Sequence, residues 1–368
     1  MTGRIKWGVI GSGGIAFRRT IPEGILPARN ATLAAVYDIN SQVNQEAGRK
    51  FNAPAAGSLD ELLETDLDAV YVATPTEVHC EQVHKCARAG KHVLCEKPLG
   101  LDVREAEEML AACREAGVVL GTAFMMRFHS QHQAALGMIR EGRLGTPAYG
   151  RAQLSCWYPP LDAWRQDPAK GGGGSLIDMG SHSIDLLEMF FGPVAKVSCF
   201  IHNTVHAYQS EDSAVALLSF RNGALGTVDA FFCIPDESSE NALELYGSQG
   251  CILAKGTIGQ TGQGKMIARC RPSGADYDAQ QTRTAAGDIE IAPEPVNTYQ
   301  AEIEEFGQAL LDGRAPAVPG EAGLHSQKVL AACYESARTG RAVEIDCIRG
   351  QPDNQRRLRA APPWRASP

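Results

Sequence analysis

Along the first 120 or so positions, short β-branched runs alternate with longer stretches in which apolar residues recur every three or four places. The runs predict strands at Ile5–Ile10, Leu33–Tyr37, Ala69–Ala73, His92–Cys95 and Val118–Thr122. The 3.6-residue periodicity between them predicts helices, clearest at Glu77–Ala89 and Val103–Ala116. Gly90 and Gly117 follow those two helices, where a left-handed cap is expected. Strand–helix alternation of this length predicts an α/β domain, a parallel sheet with helices on both faces.

The pattern changes near residue 125. A linking helix is predicted over Ser130–Glu141 and a strand over Ala148–Cys156, followed by a Trp/Pro/Gly-rich loop to Gly174 and a helix over Ser175–Phe190. From Val194 to Ala254 apolar and polar residues alternate, and Arg221-Asn222-Gly223 reads as a hairpin turn. Antiparallel pairing follows, so the second domain is expected to be α+β. Residues 256–284 are polar and weakly patterned, and two helices, Thr298–Leu311 and Glu321–Thr339, come late in the chain.

A chain of 368 residues with 44% hydrophobic content exceeds what one core usually takes. We expect two domains, 1–125 and 126–348, with 349–368 as a flexible tail. The net charge of −8 argues against a nucleic-acid backbone as partner. The one Arg-rich run, Arg356-Arg357-Leu358-Arg359, sits in the Pro-rich tail. No apolar stretch approaches the roughly 20 residues of a membrane span. Eleven cysteines, an odd number without a CxxC pair or a signal peptide, read as reduced thiols of a cytoplasmic protein. Cys86, Cys113, Cys199 and Cys333 lie in apolar runs and are expected in the core.

Gly11-Ser12-Gly13-Gly14-Ile15-Ala16 follows the first strand and fits G-x-G-x-x-A. The first glycine permits a tight turn, the second lets backbone approach a pyrophosphate, and the small last residue lets helix and strand pack closely. The second strand ends at Asp38, 22 residues after Ala16. A carboxylate there accepts from both adenosine ribose hydroxyls and repels a 2′-phosphate. Ile39 and Asn40 beside it supply no cation for that phosphate. The segment therefore predicts a Rossmann domain that binds NAD rather than NADP.

Two further segments stand out: Cys95-Glu96-Lys97-Pro98 after a buried strand, and Gly172-Gly173-Gly174-Ser175-Leu176-Ile177-Asp178-Met179-Gly180-Ser181-His182. With the glycine turn and Ala73-Thr74-Pro75, they resemble the glucose–fructose oxidoreductase / inositol dehydrogenase / MocA (Gfo/Idh/MocA) family from about Ile5 to Asp346. The resemblance implies a C-terminal domain with a large open sheet, mainly antiparallel, that often builds dimer or tetramer contacts, so a homo-oligomer is expected. It also implies hydride transfer between a sugar-like or polyol carbon and nicotinamide. It suggests an unusual bond at Pro98, and places Thr74, Pro75 and His79 beside the cofactor.

The residues themselves carry the chemistry. Oxidising a secondary alcohol needs a hydride acceptor and a base for the hydroxyl proton. His182 is the best base in the chain, its ordinary pKa being nearest neutrality. Asp178, four residues earlier on the same helix face, either orients the imidazole or binds a neighbouring substrate hydroxyl. Lys97, at the end of a parallel strand, can donate to the substrate oxygen. Glu96 either touches the nicotinamide ribose or is an exposed acid. Trp157, Tyr158, Trp164 and Arg165 suit a sugar's C–H face and hydroxyls, or else pack a long loop. Arg127 and His129 are similar candidates for substrate. His202 and His206 share a face of a predicted strand too far apart to ligate one ion; they read as surface residues, and no metal is assigned.

These readings point to an NAD-dependent dehydrogenase of a sugar, sugar derivative, glycoside (in one version at C3) or cyclic polyol. Two other classes remain open: a redox-neutral sugar oxidoreductase or glycoside-processing enzyme that retains its NAD, and a non-catalytic sensor of NAD or sugar.

Overall fold

The computed structural model describes residues 3–346, apart from 162, 272–278 and 280–286. The Arg-rich tail lies outside the described residues, as does most of the second half of the weakly patterned stretch.

Five strands, β1 (Ile5–Ile10), β2 (Ala31–Tyr37), β3 (Ala69–Val72), β4 (His92–Glu96) and β5 (Leu120–Ala123), form one sheet in the order β2-β1-β3-β4-β5. Every pairing is parallel. The order reverses direction between β1 and β3, the place where open α/β sheets bind ligands. β1, β3, β4 and β5 are almost wholly buried, as a sheet covered on both faces requires, whereas the edge strand β2 is only partly so. β2 starts two residues before the predicted strand, and β5 starts and ends later than predicted. The helix predicted at Glu77 begins as a 3₁₀ turn over Thr76–Val78 before the α-helix His79–Arg88.

Among the described residues nine strands make the second sheet: β6 (Pro147–Ser155), β7 (Val194–His202), β8 (Ser213–Phe220), β9 (Leu225–Phe231), β10 (Ala242–Gly247), β11 (Gly250–Lys255), β12 (Lys265–Cys270), β13 (Ile289–Glu290) and β14 (Val343–Glu344). Their order is β13-β12-β11-β10-β6-β9-β8-β7-β14, antiparallel throughout except for the parallel pair β6–β9. The β8–β9 hairpin turns at Asn222-Gly223, with Gly223 at φ 92° and Asn222 accepting from the Ala224 N–H. One face packs on helix Ser181–Phe191 and helix Gly320–Thr339, through Leu187, Phe191, Val329 and Cys333. The other face is open, with Phe200, Leu217 and Leu225 more than half exposed.

The late helix Thr298–Asp312 does not stay with the second sheet. It crosses back onto the helix that follows the glycine turn, Ala16–Ile25, a wide helix of π type. Ile303 and Phe306 share a core with Trp7, Ile21 and Ile25, and the Phe306 ring centroid lies 5.6 Å from that of Trp7. Gly121 is required beneath it, because a Cβ there would sit 2.6 Å from Phe306. Helix Gly320–Thr339 is shared, giving Leu324 to the first domain's core and Val329, Leu330 and Cys333 to the second's. All ten described cysteines are unpaired, and Cys86, Cys113, Cys199 and Cys333 are buried. Among the described residues no helix is long and apolar enough to cross a membrane.

Candidate active site

A cavity of about 1090 Å³ runs from the glycine turn to the start of helix Ser181–Phe191. At one end are Gly11, Gly13, Gly14 and Ile15; Asp38 and Ile39 line the same end. Gly11 is left-handed, and a Cβ there would meet the Ala73 carbonyl at 2.8 Å. At Gly14, also left-handed, a Cβ would meet nothing within 4 Å, so the turn leaves open space above it. The helical run opens at Gly14 and continues into the π-type segment Ala16–Ile25, so the glycine turn lies at a helix N-terminus, where an anion is stabilised. These residues fit a dinucleotide. Asp38 Oδ2 accepts from the Gly13 N–H at 3.1 Å and Oδ1 from the Asn40 N–H at 2.9 Å, which fixes the carboxylate across the turn.

Midway, Thr74 and Pro75 line the wall, with the Thr74 hydroxyl donating to Gln82 at 2.7 Å. Glu96 also lines it, half-buried and accepting from the Tyr71 hydroxyl at 2.5 Å. Burial pushes Glu96 up despite that bond. The Lys97–Pro98 peptide is cis.

At the far end the chemistry-bearing groups converge. Lys97 Nζ donates to Asp178 Oδ1 at 2.8 Å and to the Asp178 carbonyl at 2.6 Å. Arg165 Nε lies 3.3 Å from the same Oδ1. Burial opposes the Asp178 charge, but Lys97 and Arg165 overcome it and hold the carboxyl below the usual carboxylate range. No hydrogen bond joins Asp178 to His182. Burial, reinforced by the Lys97 charge, pushes His182 well below its ordinary value, so its ring is neutral near pH 7. The His182 Nδ1 is shut off from solvent and has no hydrogen-bond partner, and Phe124 meets the ring edge-on.

Asp178 stands on a π-type turn, Leu176–Gly180, that runs directly into the α-helix carrying His182. Such turns often occur at functional sites. A buried carboxylate holds its start: Glu211 accepts from Gly174 N–H (3.0 Å), Leu176 N–H (2.9 Å) and the Tyr334 hydroxyl (2.9 Å). Gly174 has no room for a side chain, since a Cβ would lie 2.0 Å from the Glu211 carbonyl oxygen.

Tyr158, Trp164 and Arg165 line the cavity, and the Arg165 guanidinium stacks 4.1 Å over the Trp164 ring. Other predicted residues do not line it. Ser12 is fully buried behind the turn. His79 is buried as a brace: its ring nitrogens lie 3.0 Å from the Pro98 carbonyl and 2.9 Å from the Thr74 carbonyl, joining the two loops that do line the cavity. Arg127 is bound by buried Asp185 through two bonds of 2.8 and 2.6 Å. His129 caps helix Ser130–Arg140 and contacts the Gln263 carbonyl. Trp157 is 42% exposed and lies against His206. His206 is itself a correction: β7 ends at His202, and His206 is buried in the following loop with its Nε2 3.1 Å from the Phe232 carbonyl, whereas His202 is exposed. The sequence reading missed Tyr299, Asn241 and Arg18, all of which line the cavity. Arg18, one helical turn beyond Gly14, was findable from spacing; Tyr299 and Asn241 arrive from distant elements and carry no local signal.

Comparison with known proteins agrees with this architecture. Residues 5–124 match the family described as oxidoreductases with an NAD-binding Rossmann fold, and residues 132–253 match the GFO/IDH/MocA C-terminal domain. The chain is 31% identical over 350 residues to the 1,5-anhydro-D-fructose reductase of Ensifer adhaerens, covering 93% of this chain and 98% of the relative.

The chain belongs to the Gfo/Idh/MocA family.

As a member of that family it is an NAD(P)-dependent oxidoreductase. A second relative of this family, the NADP(+)-dependent D-xylose 1-dehydrogenase 2 of Haloferax volcanii, is 30% identical over 350 residues, covering 93% of this chain and all of the relative. Among solved structures, the family's aldose–aldose oxidoreductase from Caulobacter crescentus, complexed with glycerol, superposes with a TM-score of 0.82 at 26% identity. That match covers 93% of this chain and 100% of the other.

Proposed function

We propose that this protein is an NAD-dependent dehydrogenase that oxidises a secondary hydroxyl of a sugar, sugar derivative, glycoside or cyclic polyol. The observation that carries the reading is the convergence of Lys97, Asp178 and His182 at one end of a cavity whose other end is the glycine turn. A bound nicotinamide cofactor supplies hydride acceptance there. Gly11, Gly13, Gly14, Ile15, Asp38, Thr74, Pro75 and Glu96 would hold it. Ile39, 92% exposed at the cavity's edge, offers an apolar surface to an adenine ring.

The chain's own groups handle the proton. Lys97, fixed by Asp178, donates an N–H to the substrate oxygen and stabilises negative charge as it develops. The neutral His182 ring accepts the hydroxyl proton at a ring nitrogen. Asp178 acts through Lys97, and Trp164 and Tyr158 present aromatic faces to a sugar ring. Asp38 supports NAD over NADP, since its carboxylate repels a 2′-phosphate. The named relatives act on sugar-like molecules, which supports the substrate class. The open face of the second sheet, with exposed Phe200, Leu217 and Leu225, supports self-association; sedimentation velocity on the full chain tests it, a monomer at micromolar concentration being the contrary result.

The experiment is a substrate panel of free aldoses, myo-inositol and glycosides with NAD, following NADH. Lys97→Ala and His182→Ala should each lose about 10²–10⁴-fold in kcat/KM, the range for general acid–base groups. Turnover that survives in both variants sinks the assignment, and reaction with free aldoses or inositol alone sinks the C3-glycoside version. Similarity to an aldose–aldose oxidoreductase favours a second reading, a redox-neutral enzyme that keeps its cofactor. Cofactor that survives gel filtration, without bulk NADH accumulating, selects it.

A further inference from the structure

Away from the cavity, the helices His79–Arg88 and Val103–Glu115 pack side by side on the first domain. Cys80 and His84 are four residues apart on the first, so their side chains project from one face. Glu108 comes from the second. A donor atom from each of the three lies within 4.8 Å of those of the other two. We propose that Cys80, His84 and Glu108 form a binding site for a divalent ion of the zinc class, joining the two helices.

The distances suit such an ion. Donors at about 2.0–2.3 Å from zinc stand roughly 3.3–3.8 Å apart in a tetrahedron. Cys80 Sγ and Glu108 Oε2 are 3.9 Å apart, so closure needs side-chain rotation rather than backbone movement. The unused valences point the same way. Glu108 Oε1 already accepts from Arg104 at 2.8 Å, which leaves Oε2 facing the thiol. A ligand carboxylate steadied by an outer partner is the usual second layer of a metal site. The His84 ring also carries an unmet polar atom, its Nε2 being closed off from solvent without a hydrogen-bond partner.

The charge balance agrees. Asp102, Glu105 and Glu108 surround Cys80, with Arg104 the cation among them. A divalent ion bound there would stabilise the Cys80 thiolate among these acids. A donor set of one thiolate, one imidazole and one carboxylate selects Zn²⁺ or Co²⁺ over Mg²⁺ or Ca²⁺, with water in the fourth position. Glu81, Gln82 and Lys85 of the same helix line the cofactor cavity, whereas Cys80 and His84 do not, so the site is separate from the catalytic one.

The test uses the full chain, chelator-stripped and kept reduced, titrated with Co²⁺. A thiolate-to-cobalt charge-transfer band should rise to an end point of one equivalent and be bleached by Zn²⁺. Ten other cysteines make the variants decisive. Cys80→Ser should abolish the band, and His84→Ala and Glu108→Gln should each weaken binding at least about tenfold. A Zn²⁺-induced rise in Tm should disappear in all three, with the metal-free melt of each variant reporting its fold. No band, or a band unchanged in Cys80→Ser, overturns the proposal.

Discussion

Removing Asp178 should destabilise the fold more than removing Lys97, although the two residues are partners in one ion pair. The Asp178 carboxylate is shared, with Lys97 Nζ at 2.8 Å and Arg165 Nε at 3.3 Å, and the Lys97 and Asp178 side chains are only 9% and 21% exposed. Breaking a buried pair costs about 3–5 kcal/mol when a charge is left without a counter-ion. Asp178→Ala strands two cations at once, so a loss in that range is expected. Lys97→Met strands nothing, because Asp178 keeps Arg165; it forfeits a charge-assisted hydrogen bond, about 1.5–3 kcal/mol. The double variant strands Arg165 alone, so its loss should fall short of the sum of the singles by at least about 1 kcal/mol. Equilibrium urea unfolding at pH 7 without cofactor, read by tryptophan fluorescence, gives all three values, provided the denaturant slope is unchanged. The sign with pH is fixed as well. The folded-state pKa of Asp178 lies below its unfolded value, so its contribution is complete above about pH 4 and fades as pH falls through the folded value. The gap between wild type and Asp178→Ala should therefore close in acid. Lys97→Met proving as destabilising as Asp178→Ala, or strict additivity, would refute the shared-anion argument.

Other predictions concern the rest of the cavity. His182 is held below its ordinary pKa by burial and then by Lys97, so the acid limb of kcat/KM for oxidation should lie below about pH 6.5. Lys97→Met removes one depressing charge and should move that limb upward, whereas an unmoved limb would disconnect the two groups. Asp38→Ala removes a like charge from the ribose end, where such juxtapositions cost several kcal/mol, and should raise the NADP-to-NAD ratio of kcat/KM by roughly tenfold or more. An unchanged ratio would leave cofactor choice to Arg18 or another group. Glu211→Ala leaves two buried N–H donors and the half-buried Tyr334 hydroxyl unpaired, at about 1–3 kcal/mol for each buried donor before relaxation. It should lower both urea stability and kcat, although Glu211 does not line the cavity; wild-type stability would remove its holding role.

What was legible in the sequence was what local spacing encodes. The glycine turn, Asp38 and Lys97 sit at strand ends, and a strand's end is visible where its apolar run stops. Asp178 and His182 were placed together because four residues on a helix bring side chains to one face, and both do line the cavity. The failures share a cause. Arg127 reads as a free cation until Asp185, on another helix, is seen to occupy it. His79 looks like a cofactor contact because it follows Thr74-Pro75, yet both of its ring nitrogens face backbone carbonyls and away from the cavity lining. His206 was placed on a strand that stops at His202. Tyr299 reaches the cavity only because its helix returns to the first domain, a long-range packing choice that no window of sequence records.

That return has a consequence for how the chain is made. Trp7, Ile21 and Ile25 are covered by a surface that comes from Ile303 and Phe306, synthesised some 280 residues after them. At roughly 5–20 residues per second, the nascent dinucleotide-binding half waits tens of seconds with that flank bare. A chain shortened before Thr298 would never cover it. The dinucleotide-binding domain is thus completed only after the second domain's sheet has been made, and the interval, rather than the finished fold, is where chaperone demand and aggregation should concentrate.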